Sequence, residues 1–167
     1  IGLRFGIPWL EVDDFRLAMQ RVTMPEQIPE LHTFLERDIW GMSPKDMCDG
    51  LIAVGTAVSR ALEVVVAHHI NTRRPVVLEG DGIVPSMASQ RTFAGMERGD
   101  DVRTVFLIES DAEVLVRNSQ ETAASRKADP PPVDEMRKHL AMSHLYGRWL
   151  QEEAIRLGLP VVDSQPR

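Results

Sequence analysis

Gly6-Ile7-Pro8-Trp9-Leu10-Glu11-Val12-Asp13-Asp14-Phe15-Arg16 is the stretch whose reading decides the fold. Ile7 to Val12 is short and mostly apolar, the form expected of a parallel strand covered on both faces. Gly6 follows a helical pattern and Pro8 sits near the strand's start, which together mark a helix-to-strand junction. Gly158-Leu159-Pro160 repeats that punctuation ahead of a second such run, Leu159 to Val162. Pro75 to Leu78 and Arg103 to Ile108 read the same way.

Helical patterns separate these runs. Ser43-Pro44-Lys45-Asp46 is an N-cap followed by proline at the first helical position. Met47, Leu51, Val54, Val58, Leu62 and Val65 then recur at spacings of three and four, one apolar stripe of a helix reaching about Asn71. A second long helix starts near Val133, with a stripe through Met136, Leu140, Ser143, Gly147, Leu150, Ala154 and Leu157. A third, polar on most sides, runs from Asp111 to about Lys127, and Pro130-Pro131-Pro132 is a stiff connector after it. Strands alternating with helices indicate an α/β domain with a parallel sheet, read as one domain over residues 1–167. In such sheets the ligand crevice lies beyond the carboxyl ends of the strands.

The bulk chemistry narrows the function classes. A formal net charge of −6 argues against nucleic-acid or anionic-membrane binding through an overall positive field. Cys48 is the single cysteine, so no intrachain disulfide forms, which suits a reducing, cytoplasmic compartment. The sequence suggests no membrane span and no signal peptide. Adjacent His68 and His69 point apart on a helix, His139 and His144 share no face, and no zinc-ligand spacing occurs.

Acidic residues follow every strand: Asp13-Asp14, Glu79-Gly80-Asp81-Gly82, Glu109-Ser110-Asp111 and Asp163-Ser164. Asp and Ser in that place commonly cap the next helix, which is the plain reading of Asp111 and Asp163. Glutamate is not a favoured cap, so Glu79 stands out, and Gly80 and Gly82 let backbone approach a ligand closely. Carboxylates from different strand ends suit phosphoryl transfer, one taking a proton from a hydroxyl and another holding magnesium, directly or through water.

Val12-Asp13-Asp14-Phe15-Arg16 resembles the Asp-x-hydrophobic signature, often followed by Arg, of several P-loop kinases: zeta toxins, 2-phosphoglycerate kinases and chloramphenicol phosphotransferases. Val76-Val77-Leu78-Glu79-Gly80, with Ile83-Val84-Pro85 after it, is similar to the corresponding strand of 2-phosphoglycerate kinases, and so is the tail from Leu145 through Glu153-Ala154 to Val162. The resemblance covers most of the chain. It implies a P-loop NTPase-like parallel sheet flanked by helices, and transfer of the γ-phosphate of ATP, or another NTP, to a small hydroxyl or phosphorylated compound with Mg2+. It makes Asp13 the base and places Glu79 in the magnesium shell. Arg117 and Arg126 become lid arginines on the phosphates, with Lys127 beside them, and Arg16 reads the acceptor. The plain alternatives are a solvated face for Arg117, with Glu113 and Glu121 each four residues away, and a local acid partner for Arg16.

Two departures stand out. Gly82 replaces a histidine usual in 2-phosphoglycerate kinases, which bears on the substrate. No G-x-x-x-x-G-K-[ST] occurs in the 167 residues, so the resemblance implies a first strand and phosphate loop upstream of Ile1, whose helix ends in Ile1 to Gly6. The alternative is a degenerate kinase-like binding or regulatory module without catalysis. Within the signature, an extended chain points Asp13 and Asp14 to opposite sides, leaving Asp14 to cap the helix that carries Phe15 and Arg16.

Overall fold

Gly6, at φ +64°, ends a short helix α1 (Gly2–Phe5) and turns the chain into β1 (Trp9–Glu11). The same device recurs at Gly158, φ +69°, as the junction prolines lead the sequence to expect. The computed structural model describes residues 2–36, 38–125 and 132–164. Its class is α/β with short parallel strand pairs. The described residues fall into two compact units.

In the first unit, β1 passes directly into α2 (Val12–Val22), followed by α3 (Pro29–Glu36). The two helices are clipped by polar contacts: Gln20 Nε2 donates to the Leu31 carbonyl at 2.6 Å, and the Thr23 hydroxyl, which donates to Met19 O, lies 3.2 Å from Nε2 of buried His32. Next comes α4 (Pro44–Thr72), whose start belongs to the second unit and whose length from Gly50 belongs to the first. Ser43 caps it as expected: its hydroxyl accepts from Asp46 N at 3.1 Å and donates to the Asp46 carboxylate at 2.7 Å. Val54, Val58 and Leu62 of the expected stripe are buried, and the stripe closes on Val66 where Val65 was expected. β2 (Val77–Glu79) pairs parallel with β1, Trp9 opposite Val77 and Glu11 opposite Glu79. A short helix α5 (Pro85–Ala88) leads to a hairpin, β3 (Thr92–Phe93) with β4 (Met96–Glu97), which buries Phe93. Arg98 pins the hairpin by donating to the carbonyls of Ala88 and Val102.

The second unit holds β5 (Phe106–Ile108), α6 (Ala112–Ser125), α7 (Val133–Arg156) and β6 (Val161–Asp163). β5 and β6 are parallel, Phe106 opposite Val161 and Ile108 opposite Asp163. α7 packs on β5, and its most buried residues are Met142, Tyr146 and Ala154. Of the expected stripe only Ala154 reaches that depth; Leu140, Ser143, Gly147 and Leu150 are half-buried. The Lys138 ammonium reaches the Trp40 carbonyl within this unit.

Each expected strand is present, but shortened or moved toward its carboxyl end. The junction prolines explain part of this. Proline has no N–H to give a ladder, so Pro8 and Pro160 act only as acceptors: Val77 N donates to Pro8 O and Phe106 N to Pro160 O, both at 2.9 Å. Coverage on both faces does not hold. Trp9 is 48% exposed and Leu107 68%, because among the described residues the strands make separate two-stranded sheets and not one wide sheet. α4 corrects another expectation, being long and apolar enough to cross a membrane by length and composition. Its buried Val54-Val58-Leu62 stripe is what a core helix shows.

One close packing event positions everything at the carboxyl ends of β1 and β2. A Cβ on Gly80 would lie 2.9 Å from Val12 Cβ, and one on Gly82 would lie 2.9 Å from Val12 Cγ1. Gly80 also holds φ +145°, a conformation other residues rarely adopt. Gly80→Ala is therefore expected to destabilise the protein by about 1–3 kcal/mol, from strain and overpacking together. Urea unfolding monitored by circular dichroism measures this; an unchanged midpoint would remove Val12 and Gly80 as the fixed point of the site.

Candidate functional site

Val12 is the first residue of α2 and is almost wholly buried. Packed under the Gly80–Gly82 turn, it fixes the start of α2 beside the end of β2. Asp13 and Asp14 then lie in the first helical turn, where carboxylates are stabilised by the helix dipole. This corrects the extended reading: the two side chains are separated by the helical rotation, not by strand alternation. It also corrects the cap. Glu11 is the N-cap residue, with no side-chain bond to the helix, and Asp14 lies inside the first turn.

Asp13 and Arg16, one helical turn apart, come together. The Arg16 Nε donates to Asp13 Oδ1 at 3.1 Å, with Arg16 the better enclosed of the two side chains. Arg16 thus has the local acid partner that its spacing allowed. Glu79 ends β2 with its Cα opposite that of Glu11, so two glutamates share this end of the pair.

Asp81 stands between two glycines in the acidic run after β2, and the sequence singles out Glu79 there instead. The residue is exposed, but protein surrounds its carboxyl enough to alter its chemistry. Burial is the largest cause raising its pKa above the ordinary carboxylate value; the Asp13 charge raises it further, and Arg16 pulls it back. Backbone N–H groups of Asp81 and Gly82 also stabilise its ionised form. Asp13, Arg16 and Asp81 are therefore one electrostatic cluster. The sequence signal for Asp81 was the glycine on each side, which brings its backbone against Val12.

The second unit carries its own acidic strand ends. The Ser110 hydroxyl donates to Asp163 at 3.1 Å, and the Ser164 hydroxyl donates to Glu109. Asp111 caps α6, accepting from Glu113 N at 2.8 Å and from Val114 N at 3.4 Å, as its plain reading expects. Asp163 ends a strand and caps no helix among the described residues. Arg117 is exposed on α6, and no ion pair to Glu113 or Glu121 forms. Arg126 and Lys127 lie outside the described residues, as do Pro130 and Pro131. Cys48 is buried, and burial pushes its thiol pKa up, the opposite of what a nucleophile needs.

Among the described residues no group of three or more His, Cys, Asp or Glu is arranged to hold a metal ion. A nucleotide-bound magnesium asks for less, one or two carboxylates plus phosphate oxygens. Glu79 and Glu11 meet that requirement in number and chemistry. No protein-family model matches the chain, and neither a curated protein nor a solved structure does.

The shift at Asp81 has a signed consequence for stability. Its pKa in the fold is above its value in the unfolded chain, so the fold holds this proton more tightly. Stability therefore falls as pH rises from the ordinary carboxylate value through the raised one, and stays lower above it. Asp81→Asn removes the charged state while keeping an acceptor oxygen for the turn. The variant is expected to melt higher than the parent at pH 7 and to lose that advantage as pH drops below about 3.8. Melting temperatures across pH 3 to 8 check this, and a difference that does not vary with pH would refute it.

Proposed function

We propose that this chain is the acceptor-binding part of a P-loop-type kinase, moving the γ-phosphate of a nucleotide to a small hydroxyl compound. The observation that carries the reading is the Asp13–Arg16 pair at 3.1 Å, held at the carboxyl end of a parallel strand pair. That is where α/β folds bind ligands. Asp13 is exposed enough for a hydroxyl to reach it, and Arg16 orients its carboxylate. In this reading Asp13 accepts the hydroxyl proton as the oxygen attacks the γ-phosphorus and the bond to the bridging oxygen breaks, releasing the nucleoside diphosphate. Mg-ATP would bring the metal, which neutralises charge on the transferring phosphoryl group. Glu79, with Glu11 beside it, would hold magnesium directly or through water. Arg117, which has no ion-pair partner among the described residues, and Arg126 supply the phosphate clamp.

The topology supports a finer reading. β1–β2 in the first unit and β5–β6 in the second are each parallel, each with acids at the carboxyl ends. A P-loop NTPase-like sheet is built from parallel strands of this kind. The cellular setting that goes with this reading is the cytoplasm. The second reading is a binding module of the same architecture without catalysis: a GK[ST] phosphate loop encoded upstream of Ile1 favours the enzyme, and its absence there favours the module.

Two measurements separate the readings. In the full-length protein with Mg-ATP and an accepted hydroxyl compound, Asp13→Asn is expected to lower kcat by roughly 10²–10⁴-fold, as loss of a positioned base does. Asp14→Asn is expected to cost about 0.3–1 kcal/mol of stability from the helix dipole and little turnover. Equal kcat losses would remove Asp13 from the role, and no transfer to any acceptor would favour the binding module. Calorimetric titration of residues 1–167 alone with Mg-ATP is expected to show no micromolar binding, because phosphates in this fold are held mainly by the loop. A tight, magnesium-dependent isotherm would overturn the phosphate-loop assignment.

A further inference from the structure

We propose that His68 and His69, at the carboxyl end of α4, hold a late first-row divalent cation of the Zn2+, Ni2+ or Cu2+ class at an open two-imidazole site. The inference stands apart from the kinase reading, because magnesium prefers oxygen ligands and imidazole suits the later metals.

The sequence sets these two rings apart, since neighbours on a helix are separated by about 100° around its axis. In the fold they come together: their centroids are 5.6 Å apart and their planes nearly perpendicular, at 85°. Two imidazoles bound to one ion through nitrogens at about 2.0–2.1 Å have their centroids roughly 4.5–5.5 Å apart. His68 is exposed, so a small rotation of its side chain closes the difference.

His69 is already oriented. Its Nδ1 lies 2.8 Å from the Arg74 carbonyl oxygen. A carbonyl only accepts, so Nδ1 carries the proton and donates it, and the lone pair of the neutral ring is on Nε2. Metal-binding histidines almost always have their second nitrogen tied in this way, which fixes the tautomer and raises the basicity of the ligating nitrogen. The Arg74 carbonyl is itself held in place. Arg73 takes φ +53° and Arg74 N donates to His69 O at 3.3 Å, closing the end of α4. That helix end carries partial negative charge, which favours a cation and offsets part of the repulsion from exposed Arg73 and Arg74. No ion pair among the described residues engages either ring. No third His, Cys, Asp or Glu among the described residues joins them in a ligand group, so water or the donor atoms of a small ligand complete the coordination.

Calorimetric titration of the untagged full-length protein with nickel chloride at neutral pH tests the site. The parent is expected to bind Ni2+ reversibly, with EDTA removing it, and Ni2+ is expected to broaden the ring resonances of His68 and His69. His68→Gln and His69→Gln are each expected to weaken binding by at least about tenfold. In His69→Gln the amide still donates to the Arg74 carbonyl, so the helix end is kept while the imidazole is lost. His68→Gln changes only an exposed ring, which keeps the test decisive if the other variant folds poorly. A double variant, His139→Gln with His144→Gln, removes two exposed histidines of α7 and is expected to leave the affinity unchanged. Mg2+ in place of Ni2+ is expected to give no signal that depends on His68. Absence of Ni2+ binding below millimolar concentration overturns the proposal. Binding that survives His68→Gln, or that falls equally in the α7 variant, also overturns it.

Discussion

The contact between Val12 and the Gly80–Gly82 turn is the constraint on which the acidic end of the first unit depends. Val12 is the point where a strand becomes a helix, and its burial ties that transition to the end of a neighbouring strand. β1 and β2 are only three residues each, too short to hold a precise geometry by ladder bonds alone. The close approach of backbone to a buried β-branched side chain replaces the missing length. Both glycines serve the fit through the absence of a Cβ, and Gly80 through its φ as well.

That constraint has an electrostatic cost. It gathers Glu11, Asp13, Asp14, Glu79 and Asp81 at one end of a two-stranded pair with Arg16 among them. The α2 dipole offsets part of the repulsion between the helix-borne acids, and the Arg16 contact offsets part of the rest. Asp81 retains a net penalty, visible as its raised pKa.

Much of the architecture is legible in the sequence because its signals are local. Ser43-Pro44 and the valine-leucine stripe specify α4 through capping and periodicity, and Gly6 and Gly158 announce their turns by residue type. α2 and α3 are harder to see. α2 follows β1 without a loop and begins at a glutamate that makes no capping bond, so the strand reading of Val12 hides the stripe that Val12, Phe15, Met19 and Val22 form at helical spacing. A local acid partner for Arg16 was legible, but the extended reading of that stretch left open that Asp13, one helical turn away, is the one. Asp81 depends on the long-range meeting of residue 12 with residues 80 and 82, which no local pattern encodes.

The β5–β6 pair shows a different side of short strands. Leu107 and Val162 are opposite each other in the register and both face solvent, 68% and 49% exposed, while Phe106 and Ile108 turn inward onto α7. Such a surface is a template for another chain, since apolar side chains and unpaired backbone groups lie together. The ladder is also brief, and Glu109 and Asp163 stand at its carboxyl end, paired to Ser164 and Ser110. Charge at a strand's end discourages a stacked copy, because like carboxylates would be brought into repeated alignment. The residues that close the β5–β6 ladder therefore also set charge where a second copy stacked in register would bring like carboxylates together.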